Sequence, residues 1–324
     1  AGRIRRKLQQ PPASRGQYAM VQGGLLVQLG IIVLTVLGLW VGARLLVDSV
    51  VRLARRFGLS DLTIGLTVVA MGTSTPELAV SLDAAFKGLG NIAVPNVLGS
   101  NTYNLAFVLG VISLLRVLPI AESFVRRDGV VLLAGTAAGG LAILDLTVTR
   151  LEGAVLVGLL IAYTAVLLRA NSTQPTPDAT SVDEAVTSGA TDRVPFRGRD
   201  GMLLLGGLAL VLVSGDYMVL AASDLARSAG ISEWVIGGTI VAAGTSTPEF
   251  AVSLVALRRG SLGVSVGNVV GSNIYNIVGI MGLAALVRPL AVGPSAIQTL
   301  GWLVVITVAL VAALWTERVL SRLE

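Results

Sequence analysis

The hexapeptide "GTSTPE" occupies residues 72–77 and again 244–249, each time inside a long apolar run. Each copy places a carboxylate, Glu77 or Glu249, just beyond two helix-disrupting residues: Gly72 and Pro76, or Gly244 and Pro248. Proline removes a backbone donor and clashes with the preceding turn. Carbonyls freed in this way cannot stand unsatisfied in lipid, so they must face protein or a water-filled cavity. The expected oxygen donors to a cation are the carbonyls near Ala70 and Ala242. A charged side chain at bilayer depth costs about 2.5–3.5 kcal/mol on insertion scales and needs a partner. No lysine or arginine lies at matching depth in these spans, which leaves a bound cation as partner, or protonation as the fallback. The same residues also read as a capping box, with Ser74 at the N-cap, Pro76 in the first turn and Glu77 at N3.

A second polar motif follows each hexapeptide: "GSNTYN" at 99–104 and "GSNIYN" at 271–276. Ser100, Asn101 and Asn104 are roughly helically spaced, as are Ser272, Asn273 and Asn276. Such residues glue helices together, and the glycines permit close packing. Asn104 and Asn276 also offer neutral oxygens suited to Ca²⁺ or Na⁺. If the two copies converge at the midplane, Glu77, Asn104, Glu249 and Asn276 ring one site. Hydroxyls from Thr73, Ser74, Thr245 and Ser246 complete it, and two carboxylates balance one Ca²⁺.

Composition narrows the chemistry. Hydrophobic residues make up 54% of the 324 residues and charged residues 13%, with a mean hydropathy of +0.81. These are the proportions of a polytopic membrane protein. Histidine and cysteine are absent. That excludes imidazole and thiolate metal sites, Ser-His-Asp and Cys-His catalysis, and disulfides. Oxygen ligands remain, which select hard cations. The net charge of +5 is spread through short inter-helix loops, as membrane topology requires, and does not point to nucleic acid.

The elements that carry these motifs are helices, because the apolar runs are continuous and not alternating. Spans are expected at 25–47, 60–86, 91–115, 127–146 and 150–169, then at 201–226, 232–258, 262–287 and 296–317. Residues 170–200 between them are rich in Ser, Thr, Pro and Asp and read as a linker. The halves repeat at a constant offset of 172 residues, from Gly58–Arg116 onto Gly230–Arg288, with about half the positions identical. The expected domains are a tail at 1–24, a first repeat at 25–169, the linker, and a second repeat at 201–324. "RLE" opens the fifth span at 150–152 and recurs at 322–324, so a tenth helix is expected to be missing from this sequence. Residues 1–19 are basic, lack the apolar core of a signal peptide, and precede an expected start at Met20.

Orientation follows from the arginines. Arg52, Arg55 and Arg56 follow the first span, Arg126 and Arg127 the third, Arg193, Arg197 and Arg199 the fifth, and Arg258 and Arg259 the seventh. The positive-inside rule makes these loops and the linker cytoplasmic and the N-terminus external. Five spans per repeat invert the second repeat relative to the first. Inverted repeats with broken helices mark secondary transporters.

The paired motifs resemble the sodium/calcium exchanger branch of the cation/Ca²⁺ antiporter superfamily, over both repeats from about residue 25. The resemblance implies an all-α membrane fold of two inverted five-helix repeats, in which the first and sixth helices slide against a core. It implies ion ligands at Glu77, Glu249, Thr73, Ser74, Thr245 and Ser246, at Ser100, Asn104, Ser272 and Asn276, and at the carbonyls of Ala70 and Ala242. In potassium-dependent members, and in some archaeal ones, the last motif residue of the second repeat is Asp. Asn276 here implies potassium independence and two acidic ligands, not three.

The expected function is exchange of Ca²⁺ for Na⁺ by alternating access across a cell membrane, with no cofactor and no enzymatic step. Ca²⁺/H⁺ antiport is the nearest alternative and a passive cation channel a further one. An intramembrane enzyme using the two glutamates as acid and base fits poorly, because acid and base need unlike environments.

Overall fold

The computed structural model describes residues 24–119, 122–172, 198–230, 242–317 and 319–320. The expected N-terminal tail, most of the linker and the opening of the seventh span lie outside the described residues.

The 172-residue offset reappears in three dimensions. The long helix Leu25–Phe57 has its counterpart in Gly198–Ser228. The break Ala70–Thr73 followed by Thr75–Phe86 matches Ala242–Thr245 followed by Thr247–Arg258. Next come Gly90–Tyr103 and Leu262–Ile274, each continued by a π-helical stretch, Asn104–Val108 or Tyr275–Ile280. Leu109–Leu115 and Met281–Val287 finish these spans. Glycines at matching turns take the left-handed backbone that other residues resist: Gly58 and Gly230, then Gly88 and Gly260. Short antiparallel ribbons tie the repeats together crosswise, Leu118–Pro119 with Val319–Leu320 and Thr147–Val148 with Leu290–Ala291.

Six described helices are long and apolar enough to cross a membrane. Their burial sorts them. The most apolar stretch of the Leu262–Val287 span is 89% buried, whereas those of Leu25–Leu53 and Arg150–Ala170 are 22% buried. The second motif of the second repeat therefore lies at the centre of the bundle, and the long first helix lines its rim.

Close approach at the centre is built from glycine. A Cβ added at Gly263 would lie 2.7 Å from the Leu62 nitrogen, at Gly267 2.7 Å from the Leu62 carbonyl, and at Gly271 2.7 Å from Leu66 Cα. This Gly-xxx-Gly-xxx-Gly stripe seats the first repeat's broken helix directly on the second repeat. At the rim, Gly42 and Gly207 let Leu25–Phe57 and Gly198–Ser228 cross backbone to backbone. Arg52, late in one helix, pairs with Asp200 at the start of the other at 2.8 Å, which makes the pair antiparallel.

One expectation shifts. The fourth span, expected to open at 127, starts earlier, at Glu122–Phe124 continuing as the π stretch Val125–Gly129, so that Arg126 lies with Arg127 within its first turns. Arg127 donates through Nε and Nη2 to the buried Asp128 at 2.9 Å, and Tyr163 Oη donates to it at 2.9 Å. These partners satisfy a carboxylate that would otherwise be costly there.

Candidate functional site

Both broken helices restart at a serine, Ser74 or Ser246, with proline at the next turn's start and glutamate after it. At an ordinary N-cap the serine has an extended backbone and its oxygen accepts from its own helix. Here ψ is 15° at Ser74 and 8° at Ser246, and neither side chain caps its own helix. The capping-box expectation is corrected accordingly. The nearly helical backbone turns each hydroxyl away from its own amides and toward the other repeat.

Ser74 Oγ donates to Glu249 Oε1 at 2.8 Å, and Ser246 Oγ donates to Glu77 Oε1 at 3.0 Å. All four residues are fully buried. The two carboxylates, 172 positions apart in sequence, thus meet the hydroxyls of each other's motif. Ser272 Oγ lies 3.5 Å from Glu249 Oε1 and 3.4 Å from the Ala70 carbonyl. Thr73 Oγ1 donates to Asn268 Oδ1 at 3.0 Å and lies 3.4 Å from the same carbonyl.

The carbonyl orphaned by Pro76 is that of Gly72, and Thr75 Oγ1 donates to it at 2.7 Å. Ala70 keeps its helical bond from the Ser74 amide at 3.0 Å. Its second lone pair is what faces Thr73 and Ser272. The idea that the proline frees the Ala70 carbonyl is therefore replaced by a carbonyl with spare acceptor capacity. Ala242 opens the matching turn of the second repeat, and Thr245 is partly buried there.

Asn104 and Asn276 are fully buried at or just inside the π stretches. The Asn104–Val108 stretch packs on the Glu249 helix, and Tyr275–Ile280 packs on the Glu77 helix. Among the described residues, neither amide of this pair has any hydrogen-bond partner, and Glu77 Oε2 and Glu249 Oε2 have none either. Ser100 lies against Glu77 without a well-aligned bond. The large majority of buried side-chain polar atoms in folded proteins are paired. Unpaired oxygens concentrated at one place therefore call for a ligand of their own. Every donor is an oxygen, the set that hard cations take. No cluster of three or more acidic, histidine or cysteine side chains occurs among the described residues, so the charge here comes from two carboxylates.

Reasoning from the sequence missed the frame behind these residues. Asn96 Nδ2 donates to the Glu77 carbonyl at 3.2 Å and to Ser81 Oγ at 3.0 Å. Asn268 Nδ2 does the same to the Glu249 carbonyl at 3.2 Å and to Ser253 Oγ at 2.9 Å. Each glutamate is thus held from behind through its backbone. Identity of Asn96 with Asn268, and of Ser81 with Ser253, across the repeats was the available signal.

Inverted membrane repeats whose broken helices meet around buried oxygens define a secondary cation antiporter. The sodium/calcium exchanger protein family matches residues 27–169 and 201–324. The chain belongs to that family, a family of transporters and not enzymes. Sodium/calcium exchanger MaX1 of Methanosarcina acetivorans is 30% identical over 78% of this chain and 80% of its own length. Inner membrane protein YrbG of Escherichia coli is 34% identical over 75% of each chain. A solved structure of the sodium-calcium exchanger NCX_Mj, soaked with Na⁺ and Sr²⁺, superimposes with a TM-score of 0.78 at 29% identity, covering 92% of this chain and 94% of that one.

Proposed function

We propose that this chain exchanges Ca²⁺ for Na⁺ by alternating access at the site formed by Glu77, Glu249, Asn104, Asn276, Thr73, Ser74, Thr245, Ser246, Ser100, Ser272 and the carbonyls of Ala70 and Ala242. The observation that carries it is the free oxygen of each buried glutamate, lying with two unpaired asparagine amides on packed, opposing repeats. Two carboxylates neutralise one Ca²⁺ or two Na⁺, so the two ions compete for one set of oxygens. A ligand that favours neither access state shifts nothing. Coupling arises because bare carboxylates at bilayer depth are costly to occlude, whereas the filled site is not. The names of MaX1 and NCX_Mj support Na⁺ as the counter-ion. Asn276 supports potassium independence, because it leaves the site without a third acid. The arginine-rich loops support a cytoplasmic linker and an external N-terminus.

The experiment is ⁴⁵Ca²⁺ uptake into proteoliposomes under an imposed Na⁺ gradient, repeated under a pH gradient and with K⁺ replaced by choline. Uptake driven by Na⁺, indifferent to K⁺ and lost in Glu77→Gln and Glu249→Gln is expected. Uptake that follows the pH gradient and ignores Na⁺ would establish Ca²⁺/H⁺ antiport instead. Flux that is passive and ignores both gradients would establish a channel.

A further inference from the structure

The two rim helices, Leu25–Phe57 and Gly198–Ser228, are joined by the Gly42 and Gly207 crossing and by the Arg52–Asp200 pair. They sit unevenly on the rest of the bundle. Leu25–Phe57 packs along Thr247–Arg258, the half-helix that carries Glu249. Val47 and Val50 are buried there with Val252 and Ala256. Repeat symmetry calls for the same contact between Gly198–Ser228 and Thr75–Phe86, the half-helix that carries Glu77. Among the described residues no comparable contact exists. Val80, the counterpart of the fully buried Val252, is 38% exposed. The rim thus leans on the second repeat's half-helix and stands off the first's.

An ion pair spans the closed contact. Arg259 Nη1, at the end of Thr247–Arg258, donates to Asp48 Oδ1 on Leu25–Phe57 at 2.6 Å. The positions equivalent to Asp48 and Arg259 are Leu220 and Lys87. Leucine has no charge to offer, and Lys87 pairs with Asp83 of its own helix at 2.6 Å. The duplicated pattern therefore lacks a second copy of this pair in its residues, whatever state the protein is in. When the rim moves across to Thr75–Phe86, Asp48 leaves Arg259 and no mirror pair replaces it.

We infer that Asp48 and Arg259 are positioning residues that form a latch between rim and core on the cytoplasmic side, which favours the state open to the outside and has no counterpart favouring the state open to the cytoplasm. The inference rests on the alternating-access reading and on the orientation drawn from the arginines. Thr247–Arg258 runs from the ion site to the arginine loop on the cytoplasmic side, and Thr75–Phe86 runs to the opposite face. Contact along the first and a gap along the second close the inner path and leave the outer one open. In inverted repeats the two facing states differ in how the moving bundle rocks against the rest, so the core helices keep their places while the rim changes sides. Neither Asp48 nor Arg259 belongs to the proposed ion site. The pair therefore acts on the balance between the two states and not on the affinity of either.

The test is ⁴⁵Ca²⁺/Ca²⁺ self-exchange, which requires no counter-ion, in right-side-out and inside-out vesicles carrying Asp48→Asn, Arg259→Gln or both. Apparent affinity on each face scales with the fraction of protein open to that face. Each single variant should lower half-saturating Ca²⁺ on the cytoplasmic face relative to the external face by about two- to fivefold, the range of one partly exposed ion pair. The double variant should do no more than either single, because both remove the same interaction. Arg126→Gln is the control. Its pair with Glu122 lies within one span, and its loss should leave the ratio unmoved. Asp48→Ser and Arg259→Met carry the same comparison where a first-choice variant does not assemble. Opposite shifts in the two singles would overturn the inference, because they mark the local field acting on arriving Ca²⁺ and not a latch. An unmoved ratio, additive shifts, or a relative fall on the external face would overturn it as well. A chain driven by protons and not Na⁺ would still self-exchange Ca²⁺, so failure of the Na⁺ assignment is distinguishable from failure of this one. Absence of self-exchange in wild type would remove the alternating-access premise and the inference with it.

Discussion

Ser74 reaches out of its own repeat to donate to Glu249 at 2.8 Å, and Ser246 repays the contact at Glu77 at 3.0 Å. The bonds lock the starts of the two half-helices into one unit, so neither carboxylate belongs to one repeat alone. A hydrogen bond to a charged group contributes about 1.5–3 kcal/mol. Ser74→Ala and Ser246→Ala are therefore expected to raise half-saturating Ca²⁺ roughly tenfold each, and by similar factors. Thr102→Ala is the control, since its hydroxyl only bonds back to Leu98 of its own helix at 2.8 Å. Titrating initial ⁴⁵Ca²⁺ uptake in the three variants checks this. Unequal effects at Ser74 and Ser246 would refute the shared-unit reading.

The glutamates themselves should be less forgiving. Glu77→Gln or Glu249→Gln keeps shape and removes one of the two charges that balance the cation. Each single variant should lose at least about 90% of gradient-driven Ca²⁺ uptake, and the double should be little worse, because groups acting as one unit are not additive. Protein yield should stay near wild type, because a neutral amide costs less to bury than a carboxylate. Flux normalised to reconstituted protein distinguishes this from misfolding.

Much of this was legible in sequence because duplication repeats the signal. Glu77 and Glu249 stand out as a pair through the 172-residue offset, and inversion brings them together. Side-chain direction was not legible. Whether Ser74 caps its own helix or crosses to Glu249 turns on a ψ of 15°, which the capping-box pattern does not encode. Nor was broken symmetry. Asn101 and Asn273 sit in nearly identical peptides, yet one donates across the repeat interface and the other back along its own helix. The Asp128–Tyr163 contact was hidden for a third reason: it has no counterpart in the second repeat, where Leu300 occupies the position equivalent to Asp128.

The glycine stripe gives a prediction about assembly. A Cβ at Gly267 would lie 2.7 Å from the Leu62 carbonyl, a backbone atom that cannot swing away. Overpacking typically costs about 1–3 kcal/mol, and more where backbone must move. Gly267→Val should lower the thermal midpoint sharply or abolish monodisperse protein in detergent. Gly158→Ala should leave both unchanged, because Gly158 is exposed on a rim helix with nothing within 4 Å. Size-exclusion profiles and thermal melts of the two variants decide the matter.

The asparagine frame behind the glutamates separates position from charge. Asn96 and Asn268 hold Glu77 and Glu249 by their carbonyls at 3.2 Å and anchor Ser81 and Ser253, without touching a carboxylate. Replacing Asn96 with Leu preserves size but leaves the Ser81 hydroxyl short of a donor, a loss of about 1–3 kcal/mol per buried group. Asn96→Leu should therefore lower thermal stability while changing half-saturating Ca²⁺ only about twofold. Asn268→Leu should do more, because Asn268 also accepts from Thr73 at 3.0 Å, inside the proposed ion site. The expected order of loss in Ca²⁺ affinity is Asn268→Leu above Asn96→Leu. Parallel melts and uptake titrations test it, and an equal loss at both positions would mean that the Thr73 contact contributes nothing to ion binding.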